Sequence, residues 1–128
     1  LRAALPDSHH VFAAGDFNTT STEDEREGMF ERYARPFWTV AHDLCAACRG
    51  TYYYAPEDNW SFLDTILFAP ARGKNTTGGI RADSVAIANQ IPAQVTAGGT
   101  PARHDSAAGT GVSDHWPIVA TLELAANQ

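Results

Sequence analysis

Five polar residues stand at the ends of apolar runs: Asp16 and Asn18 in AAGDFNTT, Asp64 in WSFLDTILF, and Asp114 with His115 in GVSDHWPI. Carboxylates in such places hold hard cations or take protons from water, and a histidine moves protons near neutral pH. A histidine does this best when a carboxylate fixes its tautomer. WSFLDTILF, read as one strand of period two, puts Asp64 in a row with Trp60, Phe62, Ile66 and Phe68; Ser61, Leu63, Thr65 and Leu67 share the other face. A carboxylate in so aromatic a row needs a partner, because an unpaired buried charge is strongly unfavourable. A backbone amide or a bulge would satisfy it. So would His115, at the entrance to the next strand, and that pairing would raise the basicity of the imidazole. GDFN also has two readings. Gly, Asp and Asn are turn formers, and by itself the tetrapeptide reads as a turn. A carboxylate just past a buried strand also points into the crevice where strand ends gather.

The elements that must position these residues follow from periodicity and punctuation. Residues 11–14 read as a short buried strand ended by Gly15. Thr22 and Glu25 form a capping box that opens a helix running to Arg35, stopped by Pro36, with Met29, Phe30 and Tyr33 as its apolar stripe. FWTVAHDLCAAC reads as a second helix with Pro36 near its start. Tyr52, Tyr53 and Tyr54 favour an extended segment, and residues 60–69 form the clearest strand, ended by Pro70. RGKNTTGG is a turn, and its glycine spacing before Lys74 excludes a P-loop. IRADSVAIANQ reads as another strand, residues 91–111 as a long loop, and residues 118–124 as the final strand. The order β, α, α, β, β, loop, β describes an α/β-type (α+β) domain in which strands outnumber helices. No internal repeat is present.

The chain has 128 residues, 44% hydrophobic and 19% charged, which suits one globular domain, residues 1–128. Its net charge of −6, with nine Lys and Arg scattered along it, argues against strong binding of duplex DNA. No apolar run reaches membrane-spanning length, and LRAALPDSHH lacks the pattern of a signal peptide. Leu1 is not a natural start, so an upstream segment is expected. Cys45 and Cys48 form a CxxC with four readings: a local disulfide, a redox pair, half of a zinc site completed by His42, or two plain thiols. The disulfide belongs to an exported protein and free thiols to a retained one; a periplasmic or secreted location is favoured.

GDFNTT, LDTILF and SDHWPI, in that order and each at a strand edge, resemble the endonuclease/exonuclease/phosphatase (DNase I-like) superfamily of metal-dependent phosphoesterases. GDFN looks like the family's G-D-x-N motif and SDHWPI like its S-D-H-x-P motif. LDTILF looks like its (I/L)-D-Y-(I/V/L) strand, with Thr65 where an aromatic residue is common. The resemblance implies roles. Asp16 orients or deprotonates the attacking water, and Asn18 steadies phosphate oxygens. Asp114 reaches a metal, shared with Asp16. His115 meets the scissile phosphate as electrophile or acid/base, held by Asp64. It implies Mg²⁺ or Mn²⁺ as cofactor and a phosphodiester or phosphomonoester as substrate. It covers only the second half of a family domain. The expected architecture is therefore the C-terminal half of a four-layer β-sandwich flanked by helices, with one mostly antiparallel sheet. A missing N-terminal half or a second chain would cover the exposed sheet face. The alternative is a non-catalytic half-domain or degenerate binding module of the same fold.

The remaining features have plainer readings. Trp60 and Trp116 are core or site-wall aromatics, and Arg72, Lys74 and Arg81 are solvated charges. His104 and Asp105 lie in the long loop, where they could touch substrate, but they read as plain loop residues. The sequons at Asn18 and Asn75 are chance matches.

Overall fold

The structure is a computed structural model that describes residues 4–72 and 77–124. Its described strands pair antiparallel throughout, and its helices are short, so the domain is of the α+β class. Strands β1 (Val11–Asp16), β5 (Asp64–Ala69) and β2 (Thr39–Val40) form a three-stranded sheet in the order β1-β5-β2. Three two-stranded ribbons surround it: β3 (Tyr52–Tyr54) with β4 (Asn59–Ser61), β6 (Gly78–Ile80) with β9 (Leu122–Leu124), and β7 (Ala86–Ile87) with β8 (Ile118–Val119). In place of one expected sheet there are four small ones.

β5 is central because its residues are the most consistently apolar, and both of its edges are paired. Leu67, Phe68 and Ala69 are buried, and Leu67 packs with Phe30, Ala34 and Val40, flanked by Ala13 and Trp38. β1 is an edge strand. Its register sets Phe12 opposite Phe68 and Asp16 opposite Asp64. Phe68 is buried beneath the stacked His10 ring, whereas Phe12 is 63% exposed, so β1 is not the buried strand its composition indicates.

The first helix differs from expectation at both ends. The capping box is Thr20 with Glu23, two residues earlier than Thr22 with Glu25, because Thr20 is the last extended residue. α1 (Ser21–Glu27) stops at Gly28, which adopts φ 64°, and α2 (Met29–Tyr33) restarts with the Phe30 amide donating to Asp24 Oδ1 at 2.7 Å. Of the expected stripe only Phe30 is buried; Met29 and Tyr33 are 39% and 66% exposed.

The expected second helix is instead β2 followed by a 3₁₀ turn, Ala41–Leu44. Thr39 and Val40 are β-branched and find a partner in β5, and that pairing outweighs the helical pattern of residues 37–48. Residues 60–69 are likewise not one strand. The chain bends at Phe62 and Leu63, so Trp60 belongs to β4 and Asp64 opens β5. Residues 80–90 are interrupted by a 3₁₀ turn, Ala82–Ser84, and residues 118–124 divide between β8 and β9, which pair with different partners. Residues 91–111 form a long connection containing one 3₁₀ turn, Pro92–Gln94, and two isolated bridges. The upstream segment at Leu1, and Lys74 and Asn75 with the turn around them, lie outside the described residues.

Candidate functional site

The ladder between β1 and β5 ends on two carboxylates, Asp16 opposite Asp64. Like charges directly across a strand pair are destabilising, so this end of the sheet calls for a positive group. His115 arrives there from the far end of the chain. Its Nδ1 lies 2.7 Å from Asp64 Oδ2, and both side chains are about one quarter exposed, at 26% and 23%. A carboxylate only accepts, so Nδ1 carries the shared proton and Nε2 is left for other partners. Asp16, Asp64 and His115 each bring a donor atom within 4.8 Å of the others.

Local turns aim these groups. Ser113 Oγ accepts the His115 amide at 3.0 Å, which folds the Ser-Asp-His tripeptide tightly and lets Asp114 and His115 diverge. Asp16 Oδ1 accepts the Asn18 amide at 2.8 Å, with Asn18 at φ 52°. GDFN is therefore the end of β1 followed by a side-chain-capped bend from Asp16 to Asn18, which presents a carboxylate at a sheet end.

Beside the triad lies a cavity of about 550 Å³. Asn18, Asp114 and His115 line it, together with Thr20, Thr22, Tyr52, Tyr54, Glu57, Asn59, Ser61 and Leu63. Among the described residues no Lys or Arg lines it. Arg103 lies 3.9 Å from Asp114 Oδ2 and is 83% exposed. Asp114 thus shares the cavity with His115 but does not join the cluster of Asp16, Asp64 and His115.

Sequence reasoning missed the tyrosines of the cavity wall. Tyr52 and Tyr54, two apart on β3, both face the cavity, and the Tyr52 ring lies 5.0 Å from the His115 ring. Tyr53 points the other way, onto Trp60 at 5.2 Å and to Asp58 Oδ1 at 2.8 Å. Period two along TYYY carries this division, although nothing in the sequence ties β3 to His115. Asn59 and Ser61, both in the cavity lining, are bonded to Ser21 at the start of α1.

Other candidates lie elsewhere. Trp116 is 6% exposed, packs on Trp60 and donates to Gln94 O at 2.8 Å. Arg72 pairs with Asp7, and Arg81 with Asp83. His104 is within 3.4 Å of Gly111 O, and Asp105 caps the Ala107 and Ala108 amides. Cys45 and Cys48 form a disulfide, which removes both thiolates from any zinc site or free-thiol reading. His42 turns away from them, stacked on Phe62 at 4.7 Å and bonded to Thr65 Oγ1 at 2.9 Å. No helix among the described residues is long and apolar enough to cross a membrane. The chain gives no match to known protein families, to curated proteins or to solved structures.

Proposed function

We propose that this chain carries the second half of the active site of a metal-dependent phosphoesterase of the endonuclease/exonuclease/phosphatase type. One observation carries the reading: three segments far apart in sequence, each bearing one of the family-like motifs, converge so that His115, Asp64 and Asp16 meet at the end of one strand pair. The finer architecture belongs to the same proposal, namely half of a four-layer sandwich whose exposed side, with Phe12 63% exposed on the edge strand, is covered by an N-terminal half or a second chain.

The donor set suits a hard divalent cation such as Mg²⁺ or Mn²⁺, since two carboxylates face each other in cross-strand register and, with His115, bring their donor atoms within 4.8 Å of one another. Asp16 would hold it, with Asp114, outside that cluster, reaching it through water, and it would neutralise charge on the phosphate oxygens. The chain's own residues do the rest. Asp64 holds the His115 imidazole by Nδ1, which leaves Nε2 to donate to or accept from the phosphate ester. Asp16 orients the attacking water, and Asn18, on the cavity wall, steadies a phosphate oxygen. A single scissile phosphate, rather than a polyanion, suits a cavity without Lys or Arg in its described lining.

A non-catalytic reading draws on Asp114, whose carboxylate stands beside Arg103 and apart from Asp16. Hydrolysis of an aryl phosphodiester by the purified chain, with and without Mg²⁺ and beside His115→Ala, separates the two. With the site completed by a second copy of the chain, the phosphoesterase reading expects metal-dependent turnover that falls by about 10³-fold or more in the variant. Turnover equal in both proteins would leave the non-catalytic module as the better account.

A further inference from the structure

We infer that Thr51 is the positioning residue of the Asp64–His115 pair. The inference deepens the proposed function and rests on it only in treating that pair as functional. Thr51 is fully buried, at 0% exposure, and it is a polar residue in a core that is otherwise mostly apolar. A buried polar group persists where its bonds are needed, because leaving any of them unmade is costly. Three of those bonds are made to the strands around the site. The Asp64 amide donates to Thr51 Oγ1 at 3.0 Å, the Trp116 amide donates to Thr51 O at 2.8 Å, and the Thr51 amide donates to Ser61 O at 2.9 Å.

The first bond ends on the residue that supplies the carboxylate. The second ends on the residue after the histidine. Thr51 thus grips the backbones of both partners, which come from segments 51 residues apart, and ties them to the β4 strand that lines the cavity. The isolated bridge between Tyr52 and His115 continues the same grip by one residue and lays the Tyr52 ring against the imidazole. Gly50 makes the approach possible: it has φ 156°, and a Cβ there would come 2.7 Å from Ser61 O.

The side chain and the backbone of Thr51 divide this work. The two backbone bonds are open to valine and serine alike, whereas the hydroxyl alone reaches the Asp64 amide. Thr51→Val keeps the shape and removes that acceptor; Thr51→Ser keeps the acceptor and removes a methyl group. A loosened Asp64 no longer presents its carboxylate steadily to His115 Nδ1, so the proton on that nitrogen exchanges faster with water.

Proton NMR of the His115 imidazole reads this directly and needs no substrate. In the wild type the Nδ1 proton is slowed in exchange, and Asp64→Asn identifies the signal by abolishing it. The expected result is an exchange rate raised about tenfold in Thr51→Val and unchanged in Thr51→Ser, with kcat for a phosphodiester lowered about tenfold in Thr51→Val at constant KM. A Thr51→Val protein with the wild-type exchange rate overturns the inference. So does a Thr51→Ser protein that behaves like the valine variant, since packing rather than the hydroxyl would then be responsible. If Thr51→Val does not fold, amide exchange in the wild type decides: a protected Asp64 amide upholds the bond, and an unprotected one overturns it. A wild type with the slowed imidazole proton but no hydrolysis would sink the phosphoesterase reading and leave the role of Thr51 standing.

Discussion

Two histidines flank β5, bonded to adjacent residues of that strand, and they live in opposite worlds. His42 meets Thr65, and His115 meets Asp64. Because successive strand residues face opposite sides, Thr65 points into the core and Asp64 to the other side, where it meets His115, a residue of the cavity wall. His42 is stacked on Phe62 and edge-on to Phe30, with a neutral hydroxyl as its partner. Burial pushes its imidazole below the ordinary range; Asp43 opposes that shift and Arg35 adds to it. Arg35 in turn grips Asp43 through two hydrogen bonds of 2.8 and 2.9 Å and holds its carboxyl below the usual range. His115 has a carboxylate partner and an open side. One residue type is thus a core aromatic on one face and a candidate proton carrier on the other, and the difference comes from the strand's alternation.

The sharpest way to break this comparison is to remove a partner on each side. Asp64→Asn should lower phosphodiester turnover by about 10²–10⁴-fold, through loss of the tautomer-fixing carboxylate, while shifting stability little. His42→Ala should do the reverse, costing about 2–4 kcal/mol of stability through the cavity it leaves, with the folded fraction retaining its turnover. Urea unfolding and steady-state kinetics on both variants measure this, and matching losses of turnover would erase the distinction.

The Cys45–Cys48 disulfide stands between the two regions, after the turn that carries His42 and just before Gly50 and Thr51. It closes a short loop, so replacing both cysteines by serine should cost about 2 kcal/mol by loop entropy. The loss should appear as faster amide exchange near Thr51 before any near His42, whose ring is held by its own aromatic contacts. Exchange that rises first at His42 would place the disulfide with the core instead.

The smallest expected effect is in pH. With its folded pKa below its unfolded value of about 6.5, the unfolded chain binds more protons at His42 than the folded one does. The stability from keeping His42 neutral is full above that unfolded value and is lost as pH falls through the folded one. His42→Gln, which can still bond Thr65 but cannot titrate, should flatten the urea midpoint against pH over this window. An unchanged slope would assign the acid sensitivity to other groups.

Much of the site could be read from residue types at strand edges. Asp64 in an apolar run demanded a partner, and Ser-Asp-His, followed by Trp116 and a proline, marked the entrance to a strand. GDFN was ambiguous because one tetrapeptide serves as both a turn and a carboxylate mount. Element boundaries were less legible. The helical pattern of residues 37–48 yielded to pairing of Thr39 and Val40 with β5, and Gly28 split one expected helix by taking a left-handed conformation.

The sequence by itself determined which side chains carry charge, where turns must fall, and that a strand lies within residues 60–69, because these depend on residue type and on spacing along the chain. Only the tertiary structure decided that Asp16 lies opposite Asp64, that His42 and His115 sit on opposite faces of one strand, and that Thr51 joins the segments of Asp64 and His115. Register and long-range hydrogen bonds depend on which strands meet. A slip of one residue would exchange every side chain between core and cavity, and that choice is made by packing the whole chain at once.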